Sequence, residues 1–295
     1  MNIVEVYRKF PTENDCIAYL EQVRWHGTPI CPYCKSDRVT PLPSEQRHHC
    51  NNCNTTFSVT VGTIFHHTHA PLQKWFLAIS LILNAKKGIA ARQLGRDLEV
   101  NKNTAWFMAM RIRNAMMESE QRDLLQGLVE MDETYVGGKP RKSNDKKGSG
   151  KSRRGRGTDK TPVVGMIERG GKVKTVVVED HKLDNTRLSN IARDNVSTDV
   201  STTLITDEFK GYNNIVRFMS HQSVNHQVNY VDGDWHTNNL ESFWALFKRG
   251  FIGQYHQLSD RYLDKYFDEF SYRHNHRSNR NLFELTISRG LNVRL

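Results

Sequence analysis

The chain has 295 residues, enough for one large domain with appendages or for two to three modules in series. Hydrophobic residues make up 37% of it and charged residues 25%, the balance of a globular protein, while a formal net charge of +10 favours a polyanionic partner, nucleic acid before membrane. The longest apolar run, Trp75 to Leu83, falls far short of the ~20 residues that cross a bilayer, and the opening MNIVEVYRKFPTEND lacks the apolar stretch of a signal peptide, so a cytoplasmic protein with no membrane contact is expected.

A short helix is predicted over Thr12 to Val23, capped by Thr12, with Glu13 and Asp15 in its first turn and Ile17, Leu20 and Val23 on one face. Cys31-Pro-Tyr-Cys34 and Cys50-Asn-Asn-Cys53 follow, two CxxC knuckles separated by 15 residues. Four thiolates at that spacing predict a tetrahedral structural zinc site formed by Cys31, Cys34, Cys50 and Cys53. A disulfide framework is disfavoured without a secretion signal, and Cys16, the remaining cysteine, reads as a buried helix residue. Thr55 to Val61 is strand-like and would complete a zinc ribbon. His66, His67 and His69 lack further ligands nearby and read as surface or core histidines.

From Pro71 the pattern turns helical, with Leu72, Trp75, Phe76, Ile79 and Leu83 at helical spacing. Ile89 to Leu98 and Asn103 to Met117 are two further helices joined by a tight turn. They resemble a helix-turn-helix, with Asn101, Lys102, Asn103, Thr104 and Arg111 placed to meet DNA; an ordinary three-helix packing unit is the competing reading.

Strands begin at Leu128: Leu128 to Val136, Pro162 to Arg169 and Val173 to Asp180, separated by glycine turns. A helix over Asn185 to Asn195, a strand over Thr203 to Thr206 and a helical tail from Thr237 to about Arg277 follow. The order βββαβα describes the ribonuclease H-like (RNase H-like) α/β fold, and several mixed α/β folds share parts of that order. Three domains are thus expected: an N-terminal helix and four-cysteine zinc ribbon over 1–70, a helix-turn-helix DNA-binding domain over 71–124, and the RNase H-like domain over 125–295. Between the first two strands, Lys139 to Lys160 carries ten basic residues against two acidic ones. Its Gly- and Ser-rich composition predicts a loop, and Arg153, Arg154 and Arg156 are candidate phosphate contacts.

Side chains alternate along Leu128 to Val136, so Glu130, Asp132 and Thr134 share one face. Asp207 ends the later strand. Carboxylates within apolar strands cost free energy unless paired or bound to metal, and oxygen donors select Mg²⁺ or Mn²⁺. Two such ions suit in-line displacement at phosphorus. Glu241 is the candidate third ligand. With Asn238 it also has the N-cap to N3 spacing of a capping box, and at this point both roles stand. Lys248, seven residues on and nearly on the same face, is placed to neutralise a phosphate and favours the metal role. His236, just before the helix, suits a hydrogen bond to the helix start. In YLDKYFDEFSYRHNHRSNR, Tyr262, Tyr266, Phe267 and Phe270 read as core, with His274, His276, Arg277 and Arg280 as candidate DNA contacts.

FPTENDCIAYLEQVRW, CPYC, CNNC, VEMDETYVGG, TDEFKGY, HTNNLESFWALFKRG and YLDKYFDEFSYRHNHR occur in order. With them the chain resembles the DDE transposases of bacterial insertion sequences that carry an N-terminal zinc ribbon, a group related to eukaryotic Merlin transposons. The resemblance implies that Asp132, Asp207 and Glu241 are the catalytic acids and bind Mg²⁺ or Mn²⁺, with Lys248 as the associated lysine. It also implies recognition of terminal inverted repeats in double-stranded DNA by the ribbon and helix-turn-helix, strand transfer into target DNA, and a homo-oligomeric synapse. Two other readings compete: a DNA-binding regulator with an inactive RNase H-like scaffold, and a metal-dependent nuclease without strand transfer.

Overall fold

The computed structural model describes residues 1–117, 123–137, 160–224 and 235–293. The chain forms two units, Met1–Met117 with Ser278–Leu295, and Glu118–Arg277. The first opens with α1 (Ile3–Lys9) and α2 (Glu13–Trp25), each started by a capping box, Asn2 with Glu5 and Thr12 with Asp15. The predicted helix over Thr12 to Val23 thus runs two residues further. A small antiparallel sheet follows, made of β1 (Val39–Leu42), β2 (Arg47–Cys50) and β3 (Thr55–Phe57). The strand expected to reach Val61 stops at Phe57, because the chain turns there and the Val61 amide bonds back to the Ser58 carbonyl.

Helices α3 (Leu72–Asn84), α4 (Ala91–Asp97) and α5 (Lys102–Met116) come next. Between α4 and α5 the chain turns at Glu99, whose φ is +52°, and the Val100 amide donates to the Gly95 carbonyl at 2.9 Å. Trp75, Phe76, Ile79, Leu94, Met108 and Ile112 are buried, which explains the helical periodicity of the sequence.

The second unit is built on a five-stranded sheet: β4 (Leu128–Val136), β5 (Thr161–Glu168), β6 (Val173–Val177), β7 (Thr203–Asp207) and β8 (Ser220–Val224). Its order is β6-β5-β4-β7-β8. The first three strands pair antiparallel, while β4–β7 and β7–β8 are parallel, the arrangement of an RNase H-like sheet. Helix α6 (Asn185–Asn195) lies between β6 and β7 in sequence and covers one face, burying Leu188, Ile191 and Ala192 with Met131, Val164, Met166 and Leu204. On the other face β4 and β5 meet α7 (Asn238–Gly250), and β6 meets α8 (Leu263–Asn275). The result is three layers, helix on sheet on helix.

The helical tail expected from Thr237 to Arg277 is broken. After α7 the chain passes through a π-helical turn, Phe251–Tyr255, and a left-handed residue, His256, before α8 begins. Gly250 and Gly253 weaken the helix there. A last helix, α9 (Leu282–Asn292), belongs to the first unit, where it meets α2, α3 and α5. Residues 278–295, expected with the RNase H-like domain, therefore group with the N-terminal unit. Phe283, Ile287 and Leu291 are buried there, and Gly290 passes so close that a Cβ would stand 2.6 Å from Ile64 Cδ1. Among the described residues no helix is long and apolar enough to cross a membrane.

Candidate active site

Strands β4 and β7 run parallel, with Glu130 opposite Ile205, so two residues further along each strand come Asp132 and Asp207. The pairing of the two strands ends at Glu130, and Asp207 is near enough for its charge to act on Asp132. The Asp132 Oδ2 accepts a hydrogen bond from Trp244 Nε1 of α7 at 3.1 Å, and the Asp207 Oδ1 accepts one from the Phe209 amide at 3.1 Å. Burial, together with the neighbouring Glu133 and Asp207 charges, pushes the Asp132 carboxyl up from its ordinary 3.8 to about 7. The indole fits because residue 165, opposite Asp132 on β5, is glycine: a Cβ there would lie 2.5 Å from the Trp244 ring. Glu133 faces the opposite side, where the Tyr212 hydroxyl donates to its Oε2 at 2.6 Å.

Glu241 is exposed on α7, one turn before Trp244. Among the described residues, the four cysteines are the one group of three or more ligating side chains whose donor atoms all lie within 4.8 Å of one another. Glu241 is thus not gathered with Asp132 and Asp207 at that distance. Nor does it close a capping box. The N-cap is Thr237, which places Glu241 one position beyond N3, and its side chain accepts a 3.3 Å bond from the Thr237 hydroxyl. Lys248 is exposed two turns further on.

The cap of α7 comes instead from β4. Glu130, 0% exposed, accepts from the Asn239 and Leu240 amides at 3.0 and 3.1 Å through Oε2. Its Oε1 accepts from Asn239 Nδ2 at 2.7 Å and from Arg169 Nε at 3.1 Å. Arg169 also donates to the His236 carbonyl at 3.2 Å, while His236 Nδ1 lies 3.4 Å from Glu130. The sequence placed Glu130 on the Asp132 face. It gave no sign of a partner more than a hundred residues away.

In the first unit Cys31, Cys34, Cys50 and Cys53 converge. Cys31 and Cys53 Sγ are 3.7 Å apart, and Cys34 and Cys50 Sγ are 3.5 Å apart. Sulfurs about 2.3 Å from a central zinc are spaced about 3.8 Å in a tetrahedron, whereas a disulfide brings them to about 2.05 Å. The cluster fits a zinc ribbon. The Asn52 amide group donates to Cys34 Sγ at 3.6 Å, a hydrogen bond that favours the thiolate metal binding requires. Cys16 is buried in α2, and burial pushes its thiol up to about 12.

In the first turn of α5, Lys102 and Asn103 are exposed and Thr104 is half-buried. Asn101 caps α5, its side-chain oxygen accepting from the Asn103 amide at 2.9 Å. Arg111, expected to meet DNA, is committed internally: it donates to the carbonyls of Ile64 and His66, and its guanidinium lies over the Phe107 ring. Arg277 is likewise engaged with the Gly170 and Gly171 carbonyls, and His274 is held down to about 4 mainly by burial. Arg280 is exposed, whereas Arg153, Arg154 and Arg156 lie outside the described residues, as does the basic stretch apart from Lys160.

Residues 124–275 match the family model described as the ISXO2-like transposase domain, and residues 11–56 match the transposase zinc-ribbon domain. A protein described as an uncharacterized protein in transposable element ISH50 of Halobacterium salinarum is 31% identical over 278 residues, covering 90% of this chain and 92% of that protein. Among solved structures, the Mos1 transposase paired-end complex with left transposon end matches at a TM-score of 0.27 and 13% identity, over 73% of this chain and 78% of that one. A pre-cleavage Mos1 transpososome matches at 0.27 and 14%, over 72% and 78%. Likeness that faint has no bearing on activity. The two domain matches and the relative shared along nearly the whole length lead to one conclusion: the chain belongs to the insertion-sequence transposases in which a zinc ribbon precedes an ISXO2-like DDE transposase domain.

Proposed function

We propose that this transposase binds the terminal inverted repeats of its element and carries out metal-dependent DNA cleavage and strand transfer through Asp132, Asp207 and Glu241. The carrying observation is the pair Asp132 and Asp207 on neighbouring parallel strands, with Asp132 raised to about 7 by burial and like charge. Repulsion of that kind is relieved by a divalent cation, and oxygen donors fit Mg²⁺ or Mn²⁺. When bound, two such ions polarise the phosphodiester and stabilise the attacking and leaving oxygens.

The residues divide the remaining work. Asp132 and Asp207 hold the cations from the sheet, with the Trp244 indole orienting the first. Glu241, exposed on α7, completes the set by turning its side chain toward the strand ends. Lys248 contacts a DNA phosphate. Hydrolysis at each transposon end frees a 3'-hydroxyl, which attacks target DNA by the same in-line route.

Cys31, Cys34, Cys50 and Cys53 hold a structural zinc, and Lys102, Asn103 and Thr104 of the helix-turn-helix approach DNA, with Asn101 fixing the start of that helix. Arg153, Arg154 and Arg156 add contacts to phosphate that carry no sequence information. Two or more copies assemble on paired ends. The test is Mn²⁺- or Mg²⁺-dependent cleavage and joining of DNA bearing the element's own ends. Asp132→Ala, Asp207→Ala and Glu241→Ala are each expected to lose at least a hundredfold in rate while still binding the ends. Full activity in all three would overturn the assignment, and cleavage without joining would identify a nuclease.

A further inference from the structure

A buried carboxylate needs compensation, and Glu130 obtains it from the first turn of α7. The helix needs this as much as the acid does. Thr237 provides no side-chain cap, so the amides of Asn239 and Leu240 would otherwise be orphaned at the positive end of the helix dipole. Arg169, just beyond β5, supplies the countercharge and holds the carbonyl of His236, directly ahead of the helix.

The spacing of two attachments gives this cap a further consequence. Glu130 meets Leu240, and Asp132 meets Trp244. Two residues of strand span about 6.7 Å. Four residues of helix span about 6 Å. The attachments are thus nearly matched in rise, and together they fix both the position of α7 along β4 and its rotation about its own axis. Glu241 lies between them in sequence. We infer that Glu130 is a positioning residue, one that sets α7 against β4 and thereby seats Trp244 on Asp132 and fixes the point on the helix from which Glu241 projects. The inference rests on the metal-site reading above, and it assigns Glu130 no contact with metal or DNA.

Glu130→Asp keeps the charge but withdraws the carboxylate by one carbon–carbon bond, about 1.5 Å. Groups that orient ligands without touching the metal typically affect its affinity about 10- to 100-fold. The experiment uses the full chain. Mn²⁺ binding is titrated by the loss of the free-ion electron paramagnetic resonance signal, and the Trp244 indole N–H is followed by nuclear magnetic resonance, assigned with Trp244→Phe. Glu130→Asp is expected to shift that resonance and to weaken Mn²⁺ binding about tenfold or more, with binding of the transposon ends unchanged. Asn239→Ala, which removes one side-chain bond to Glu130 and leaves the backbone bonds, is expected to do the same to a smaller, few-fold extent.

A folded Glu130→Asp with the wild-type Trp244 resonance and Mn²⁺ affinity within twofold would overturn the inference. If Glu130→Asp does not fold, Asn239→Ala and Arg169→Lys decide by the same two readouts. Asp132→Ala is titrated alongside. If it too binds Mn²⁺ as the wild type does, the metal site itself is wrong and the effect on metal falls with it, while the Trp244 resonance still decides whether Glu130 anchors the helix.

Discussion

Asp132 takes its properties from its neighbours. Its carboxyl, raised to about 7, is more easily protonated in the folded chain than at its ordinary 3.8. The sign follows directly: its contribution to stability is complete below 3.8, where both states are protonated, and is lost as pH rises through 7. Metal binding runs the other way, because a cation displaces the proton. Between pH 7 and pH 5, Mn²⁺ affinity is expected to fall about tenfold per unit, as read by titration at fixed ionic strength. A flat profile would show that Asp132 is not a ligand. Gly165→Ala tests the same corner from the opposite strand. Its methyl group would displace the Trp244 ring, at a cost of about 1–3 kcal/mol in denaturant unfolding. Mn²⁺ affinity is expected to fall with it.

At the scale of elements, β4 and α6 fall on their predicted residues because each pairs a strong period with a buried face. β8 is not among the strands the sequence predicts. Its sequence SHQSV is largely exposed at the sheet edge, so no apolar alternation marks it. The acids on β4 and β7 were visible because a charge in an apolar strand needs a reason. Glu130 as a cap, Gly165 as clearance for an indole and Arg111 as an internal donor were not, since each depends on a partner distant in the chain. The zinc ribbon offers an element-scale test. Chelation is expected to remove one zinc per chain and unfold β1–β3, seen as loss of amide exchange protection there and absent from β4–β8. On the proposed DNA-binding role of α5, Lys102→Ala is expected to lower the salt slope of DNA binding by about one, measured by titration across ionic strengths. Asn101→Ala instead costs about 1 kcal/mol of stability through the lost cap.

For the molecule as a whole, topology outweighs the order of domains read along the sequence. The chain leaves the first unit after Met117 and returns to it at Ser278. Helix α9 is amphipathic, and amphipathicity states that a helix has a partner without naming it. For that reason its placement is not legible in sequence, where it reads as part of the domain it follows. Deleting 278–295 exposes the faces of α2, α3 and α5 that α9 covers. The expected result is a lowered or absent unfolding transition for the N-terminal unit, with the Glu118–Arg277 unit still melting on its own by calorimetry.

That return of α9 also bears on how the protein is made. Synthesis proceeds from the N-terminus at about 5–20 residues per second, so the ribbon and α3–α5 emerge first but wait for α9 until the RNase H-like unit has been translated. The first unit is thereby completed only after the second. A ribosome that stalls within the acid-bearing unit releases a chain whose N-terminal unit lacks a wall of its core.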